Sequence, residues 1–308
     1  MLGSTKVKYR KNAQGFYNRH FDGKIPTASQ ILYVFHQITE QYTAKSFTNL
    51  KLYLAFDLRE RGYHDIANAV SQYVNVDAKF GNCHKPMKKV KTLRKEDINK
   101  ITNNVKSNAE NAPSKKALLN RKQLIAAVWL AKEFGCRPAE MPNIIRTGPT
   151  SFFITGVKKD EFGERGLDRH LNVNSQKNAD ILDECIGYLK GAKMSRIQDR
   201  FRFAMGKLFP NRKKLPTLYV FRHIMGSNLK SSQYSNVEKA YILGHQAVRT
   251  LENYGYQNAG SGKVSVKAAV TPNEIQSLVR DDSARRKSKR VNRLNIRLEE
   301  DEVPGINL

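Results

Sequence analysis

Apolar residues recur at helical spacing through the first quarter of the chain. After Pro26 and Thr27, the side chains Ile31, Val34, Phe35 and Ile38 fall on one face of a 3.6-residue repeat. Leu50, Leu52, Leu54, Ala55 and Leu58 mark a second helix, and a third is predicted from His64 to Val74. Residues 24–80 are therefore expected to form a small helical domain. The periodicity then stops. The stretch GNCHKPMKKVK, residues 81–91, holds Gly, Pro and four lysines without an apolar repeat, and a linker is expected over 81–92.

Beyond the linker, Leu93, Ile98 and Ile101 predict a short helix, Asn103 to Lys116 a polar loop, and Leu124 to Phe134 a strongly apolar helix. Two β-favouring runs follow, SFFITGVK (151–158) and LDRHLNV (167–173), separated by DEFGERG, which predicts a hairpin. The remainder is helical in character: Ile181–Leu189, Ile197–Leu208, Leu218–Leu229, and from Val237 onward. A second domain over 93–272 is thus mainly helix with one small antiparallel sheet. Residues 273–308 carry Arg280, Arg285, Arg286, Lys287, Lys289 and Arg290 before the acidic run Glu299 to Glu302, and are expected to be a charged tail.

Charge narrows the choice of partner. Among 308 residues, 54 Lys and Arg stand against 28 Asp and Glu, a formal charge of +26, which favours a polyanion. No apolar run is long enough to span a bilayer, and the amino terminus has no apolar core of the signal-peptide kind, so a soluble, cytoplasmic protein is expected. Lys6, Lys8, Arg10, Lys11, Arg19 and Lys24 lie among glycines and polar residues, so residues 1–23 read as a basic arm that orders, if at all, on nucleic acid. Lys85, Lys88, Lys89 and Lys91 of the linker fit phosphate contacts equally well as an ordinary charged loop. Cys83, Cys136 and Cys185 are far apart with no CxxC pair, so neither a disulfide framework nor a zinc site is indicated.

Four segments of the second domain carry candidate chemistry. EFGCRPAEM places Arg137 three residues before Glu140. FFITGVKK ends the first hairpin strand with Lys158 and Lys159; adjacent strand residues face opposite sides, so only one of the two reaches a given site, and the sequence leaves open which. TLYVFRHIMG holds Tyr219, Arg222 and His223. ILGHQAVRTLENYGY holds His245, Thr250 and Tyr254. At about 100° per residue, His245 and Tyr254 would lie on opposite sides of one continuous helix, so they converge only if the segment bends. Gly244 suggests a helix start at His245, and a break is expected near Val248 to Thr250.

Singly, each segment reads as ordinary structure: a solvated arginine after a helix-ending glycine, a solvated hairpin lysine, an amphipathic helix burying Ile242, Leu243, Val248 and Leu251. In this order and at these separations they resemble the signature boxes of the tyrosine site-specific DNA recombinases, the phage-integrase family. One departure stands out, because Tyr219 occupies the place where most members carry histidine.

The resemblance implies a helical core-binding (SAM-like) domain and a tyrosine-recombinase catalytic domain that close on DNA as a C-shaped clamp. It implies that Tyr254 attacks a DNA phosphate to give a 3′-phosphotyrosine and a free 5′-hydroxyl, without metal, ATP or other cofactor. Arg137 and Arg222 would grip the non-bridging oxygens, Glu140 would support Arg137, and Lys159, or Lys158, would protonate the leaving oxygen. His245 would bond a phosphate oxygen, with Tyr219 or His223 assisting removal of the Tyr254 proton. The implied partners are a double-stranded recombination site, four copies of the chain on two such sites, with the segment after Tyr254 docking on a neighbouring copy, and accessory DNA-bending or directionality factors. Integration or excision of a mobile element on the bacterial nucleoid would be the task. Two other functions fit part of the pattern: a type IB topoisomerase, which shares the Arg, Lys, Arg, His and Tyr set, and a DNA-binding relative without catalysis, which the Tyr219 departure would suit.

Overall fold

The computed structural model describes residues 3–77, 84, 90–110, 113–157 and 166–282, with the side chains of 108–110 excepted. It divides into two compact units, Met1–Lys88 and Lys89–Leu308. Lys85, Lys88 and Lys89, the hairpin-tip lysines Lys158 and Lys159, Cys83, and the chain from residue 283 lie outside the described residues.

The first unit is built on α1 (Gly3–His20), α2 (Ala28–Ile38), α3 (Ala44–Glu60) and α4 (His64–Gln72). Thr27 caps α2 reciprocally with Gln30, each side chain accepting the other's backbone N–H, and Thr43 caps α3. Ile31 and Phe35 of α2, Phe47, Leu54 and Leu58 of α3, and Ala67 and Val70 of α4 meet in one apolar core. Residues 3–20 are not the arm that their charge suggested. Ala13, Phe16 and Tyr17, at helical spacing, put a buried stripe of α1 into this core, and the basic residues around them hide the stripe in the sequence. Leu52, counted with the apolar face of α3, is half exposed instead.

The second unit is helical around a small sheet. Its helices are α5 (Lys95–Glu110), α6 (Lys115–Phe134), α7 (Gln176–Leu189), α8 (Met194–Leu208), α9 (Tyr219–Lys230), α10 (Asn236–Ile242) and α11 (Pro272–Leu278). The expected loop after Asn103 is helix as far as Glu110, because Val105 extends the buried face of Ile101. Ser114 then caps α6 ten residues ahead of Leu124, the first leucine expected in it. The hairpin forms as expected from β2 (Ser151–Ile154) and β3 (Arg169–Val173), with Phe152 opposite Leu171 and Ile154 opposite Arg169. Two three-residue strands, β1 (Ile144–Arg146) and β4 (Val266–Ala268), complete an antiparallel sheet of order β1-β2-β3-β4. They are too short to leave a period-2 pattern in the sequence.

The charged tail begins later than residue 273. Helix α11, capped reciprocally by Thr271 and Glu274, buries Ile275, and Val279 is buried after it. Arg280 then pairs with Ala247, taking a bond from Val248 N–H and giving its own N–H to the Gln246 carbonyl. The segment after Tyr254 is thus packed on its own unit as far as residue 282. Among the described residues, no helix is long and apolar enough to cross a membrane, and no group of three His, Cys, Asp or Glu side chains is placed to hold a metal ion. Cys136 and Cys185 are buried thiols that burial pushes up to about 12.

Candidate active site

Helix α6 ends at Gly135, whose positive φ of 56° turns the chain sharply. A Cβ at Gly135 would stand 2.8 Å from Met225 Cγ on α9, so only glycine fits where the two elements touch. The turn delivers Arg137 into the interior, followed by a short 3₁₀ segment, Pro138–Asn143, that folds Glu140 back on it. Glu140 accepts from Arg137 Nη1 at 2.5 Å and from the Arg137 backbone N–H at 2.8 Å. Both side chains are buried.

Tyr219, Arg222 and His223 fall on one face of α9, three and four residues apart, and Gly226 continues that face. Arg222 is fully buried. Its Nη1 donates to the Gly135 carbonyl at 2.8 Å and its Nη2 to the Leu243 carbonyl at 2.5 Å, with His245 Nε2 2.9 Å from the same Nη2. Burial, reinforced by Arg137, pushes Arg222 down to about 10, which leaves it charged at neutral pH.

His245 arrives by a route different from the expected helix start. Helix α10 stops at Ile242, and Gly244 takes a positive φ of 64° while Gly244 N–H bonds Tyr241 O and His245 N–H bonds Ala240 O. Gly244 therefore ends a helix in a Schellman closure and does not begin one. The bend expected near residues 248–250 is present as a 3₁₀ segment, Val248–Asn253, which brings Tyr254 back over His245 with ring centroids 4.9 Å apart. Burial, then the positive charges of Arg222, Arg137 and Arg169, hold His245 well below its ordinary value. A neutral imidazole whose Nε2 accepts from Arg222 carries its proton on Nδ1.

The phenol of Tyr254 lies at the centre of these groups. Its ring stands 4.6 Å from the Arg222 guanidinium carbon and 5.4 Å from the His223 ring. Gly226 makes this possible, because a Cβ there would come within 2.9 Å of Tyr254 Cβ. The chain beyond is bonded to α9: Gly255 N–H to His223 Nδ1, Tyr256 N–H to Ser227 Oγ, and Lys230 Nζ to the Gly255 carbonyl. Burial outweighs the nearby arginines and raises the Tyr219 phenol, so Tyr219 keeps its proton at neutral pH and is a hydrogen-bond donor. Lys91 stands over the Tyr256 ring at 5.5 Å, beside Lys230, on the flank of this cluster.

One member escaped sequence reasoning. Arg169 is fully buried in β3 and donates from Nη2 to Glu140 Oε2 at 3.0 Å. Its signal was in the strand: in LDRHLNV the alternation puts Arg169 on the same face as Leu171 and Val173, where a charge must find a partner. Against burial, which favours the acid form, Arg169 and Arg137 bring Glu140 down to about 2. The structure thus gathers Arg137, Glu140, Tyr219, Arg222, His223, His245 and Tyr254 in one place, with Arg169 behind them.

No family model matches the chain, and no curated protein matches it either. Solved structures do. A lambda integrase tetramer bound to a Holliday junction superposes with a TM-score of 0.56 at 15% identity over 83% of this chain and 72% of that one. An integrase of the Tn1549 transposon in complex with circular intermediate DNA superposes with a TM-score of 0.55 at 15% identity, covering 94% of both chains. The chain has the tyrosine-recombinase fold. Within that fold, a small antiparallel sheet lies among helices, and the candidate site is assembled from the turn after α6, one face of α9, the glycine closure of α10 and the 3₁₀ segment before Tyr254.

Proposed function

We propose that this chain is a site-specific DNA recombinase that cuts and rejoins strands through a 3′-phosphotyrosine at Tyr254. The observation that carries the reading is the phenol of Tyr254 lying over a buried arginine, Arg222, and against two imidazoles. A tyrosine oxygen attacks phosphorus productively only where the charge that develops on the phosphoryl oxygens is neutralised. Arg222 and Arg137 provide that charge, and their Nε groups are buried donors with no acceptor among the described residues.

In the step, the bond from Tyr254 Oη to phosphorus forms and the bond from phosphorus to the 5′-oxygen breaks. The phenolic proton passes to His223 Nδ1, displacing the 3.3 Å bond from Gly255 N–H, since Tyr219 is itself a protonated donor and His245, protonated on Nδ1 and accepting from Arg222 on Nε2, is left to donate to a phosphate oxygen. The departing 5′-oxygen takes a proton from the hairpin-tip lysine, Lys159 or Lys158, in the role the sequence resemblance implies. Because a tyrosine phosphodiester is close in energy to the one it replaces, a 5′-hydroxyl of another strand reverses the step without ATP. The net charge of +26 supplies the affinity for duplex DNA, with Lys85, Lys88, Lys89 and Lys91 as phosphate contacts, and pairing of two sites requires a homotetramer. Integration or excision of a mobile element is the task that fits, with accessory factors setting direction.

The test uses a random-sequence pool of nicked duplexes. The wild-type protein is expected to leave a band on a denaturing gel that Tyr254→Phe does not, and joining of two selected sites separates recombination from the topoisomerase alternative. Absence of the band from the wild-type lane contradicts the proposal and favours a DNA-binding protein without catalysis.

A further inference from the structure

Arg169 is an unusual occupant of a core strand. It has no exposed surface, and its Nε and Nη1 have no acceptor among the described residues, so it leaves two donors unsatisfied in the interior. A leucine or methionine in the same place would avoid that cost, since a buried ion pair is a weak source of stability compared with good apolar packing. Its one acceptor among the described residues is Glu140 Oε2, and that atom explains its presence.

Glu140 has two oxygens and three donors aimed at them. Arg137 Nη1 takes Oε1 at 2.5 Å, while the Arg137 backbone N–H, at 2.8 Å, and Arg169 Nη2, at 3.0 Å, share Oε2. An arginine facing a carboxylate with both oxygens open prefers the bidentate fork, with two parallel N–H bonds. Without Arg169 on Oε2, Arg137 would turn its fork onto both Glu140 oxygens and away from Tyr254, which lies near it. We infer that Arg169 is a positioning residue: by holding Glu140 Oε2 it confines Arg137 to a single side-chain bond with the carboxylate and keeps the rest of the Arg137 fork for a DNA phosphate.

Two further features fit this role. Gly244, in the closure that delivers His245, packs against the same guanidinium, and a Cβ there would stand 2.6 Å from Arg169 Nη1. Arg169 also begins β3, where it stands opposite Ile154 of β2. One side chain therefore links the hairpin, the His245 turn and the Arg137–Glu140 pair. Charge is consistent as well. Arg137, Arg169 and Arg222 against Glu140 leave two net positive charges, matching the two negative charges of a five-coordinate phosphoryl group formed by a phenolate on a phosphodiester.

The inference rests on the proposed reaction, and its test has two arms so that the two can fail separately. In the first, crystal structures of Arg169→Met and Arg169→Lys are determined without DNA. Arg137 is expected to fork onto both Glu140 oxygens in Arg169→Met and to keep its single side-chain bond in Arg169→Lys; an unmoved Arg137 in Arg169→Met overturns the inference. Arg169→Gln takes the place of the methionine variant if circular dichroism shows that the latter does not fold.

In the second arm, single-turnover formation of the covalent complex is timed on a nicked duplex that wild-type protein has selected from a random pool, beside equilibrium binding of the same duplex. Arg169→Met is expected to react on the order of 100-fold more slowly, the scale of a small misplacement at a reacting centre, with its dissociation constant changed less than about threefold. A neutral methylphosphonate at the scissile position carries less charge to neutralise, so the gap between wild type and variant should narrow to under about tenfold on that duplex. A wild-type rate in the variant, or an equal loss on both duplexes, overturns the inference. Failure of wild-type protein to form any complex contradicts the proposed reaction, and the first arm still decides the arginine arrangement.

Discussion

Removing the charge of Glu140 should have a pH-dependent cost whose size follows from its surroundings. Its carboxyl is held at about 2 in the folded protein, against an ordinary value of 4.5 when the chain is unfolded. A depressed carboxylate contributes stability that is complete above the unfolded value and is lost as pH falls toward the folded one. The separation corresponds to about 3 kcal/mol at neutral pH, of which about 2 kcal/mol is gone by about pH 3. Glu140→Gln keeps the shape but leaves Arg137 and Arg169 buried without a counter-charge, at a cost of about 3–5 kcal/mol at neutral pH. Urea unfolding of both proteins at about pH 7 and about pH 3 measures the gap between them. The gap should shrink by about 2 kcal/mol at the lower pH, because only the wild type then loses its ion pairs. A gap that does not change with pH would mean that Glu140 is not held ionised by the two arginines.

The other outcomes are more local. Gly244→Ala should lower stability by at least about 1–2 kcal/mol in urea unfolding, since the position has a φ of 64° and the added methyl meets Arg169; a neutral effect would contradict the tight closure. The His245 imidazole, with its folded value well below 6.5, should show no NMR titration midpoint at 6.5, and its contribution to stability should be full above 6.5 and fall away as acid protonates the unfolded chain first. Lys91→Ala should weaken duplex binding similarly for all sequences and reduce the slope of log affinity against log salt by about 1, as measured by fluorescence anisotropy.

How much of this was legible in the sequence depended on whether a residue's role is local. Helices α2, α3 and α4, the β2–β3 hairpin and helices α7 to α9 announce themselves through spacing that a single segment displays. The bend between His245 and Tyr254 was legible too, because helical geometry forbids their meeting without one. Helix α1 was not, since its three buried residues, Ala13, Phe16 and Tyr17, are outnumbered by basic neighbours and only contact with α3 reveals their purpose. The run from Asn103 to Glu110 looked like a loop because, among its described side chains, Val105 alone is in the core. Arg169 was missed for a related reason. Its partner, Glu140, is 29 residues away in the chain, and nothing in LDRHLNV states that distance. The same limit applied to residues 272–282, whose place beside Ala247 is set by pairing with a distant segment and not by their own pattern.

The central claim is that the oxygen of Tyr254 becomes bonded to DNA. Wild-type protein trapped on a nicked duplex, digested with nuclease and protease and analysed by mass spectrometry, should yield one peptide heavier by a nucleotide phosphate, with the added mass on Tyr254. An adduct on Tyr219, Tyr256 or any other side chain, or no adduct on protein that binds the duplex, would contradict the account.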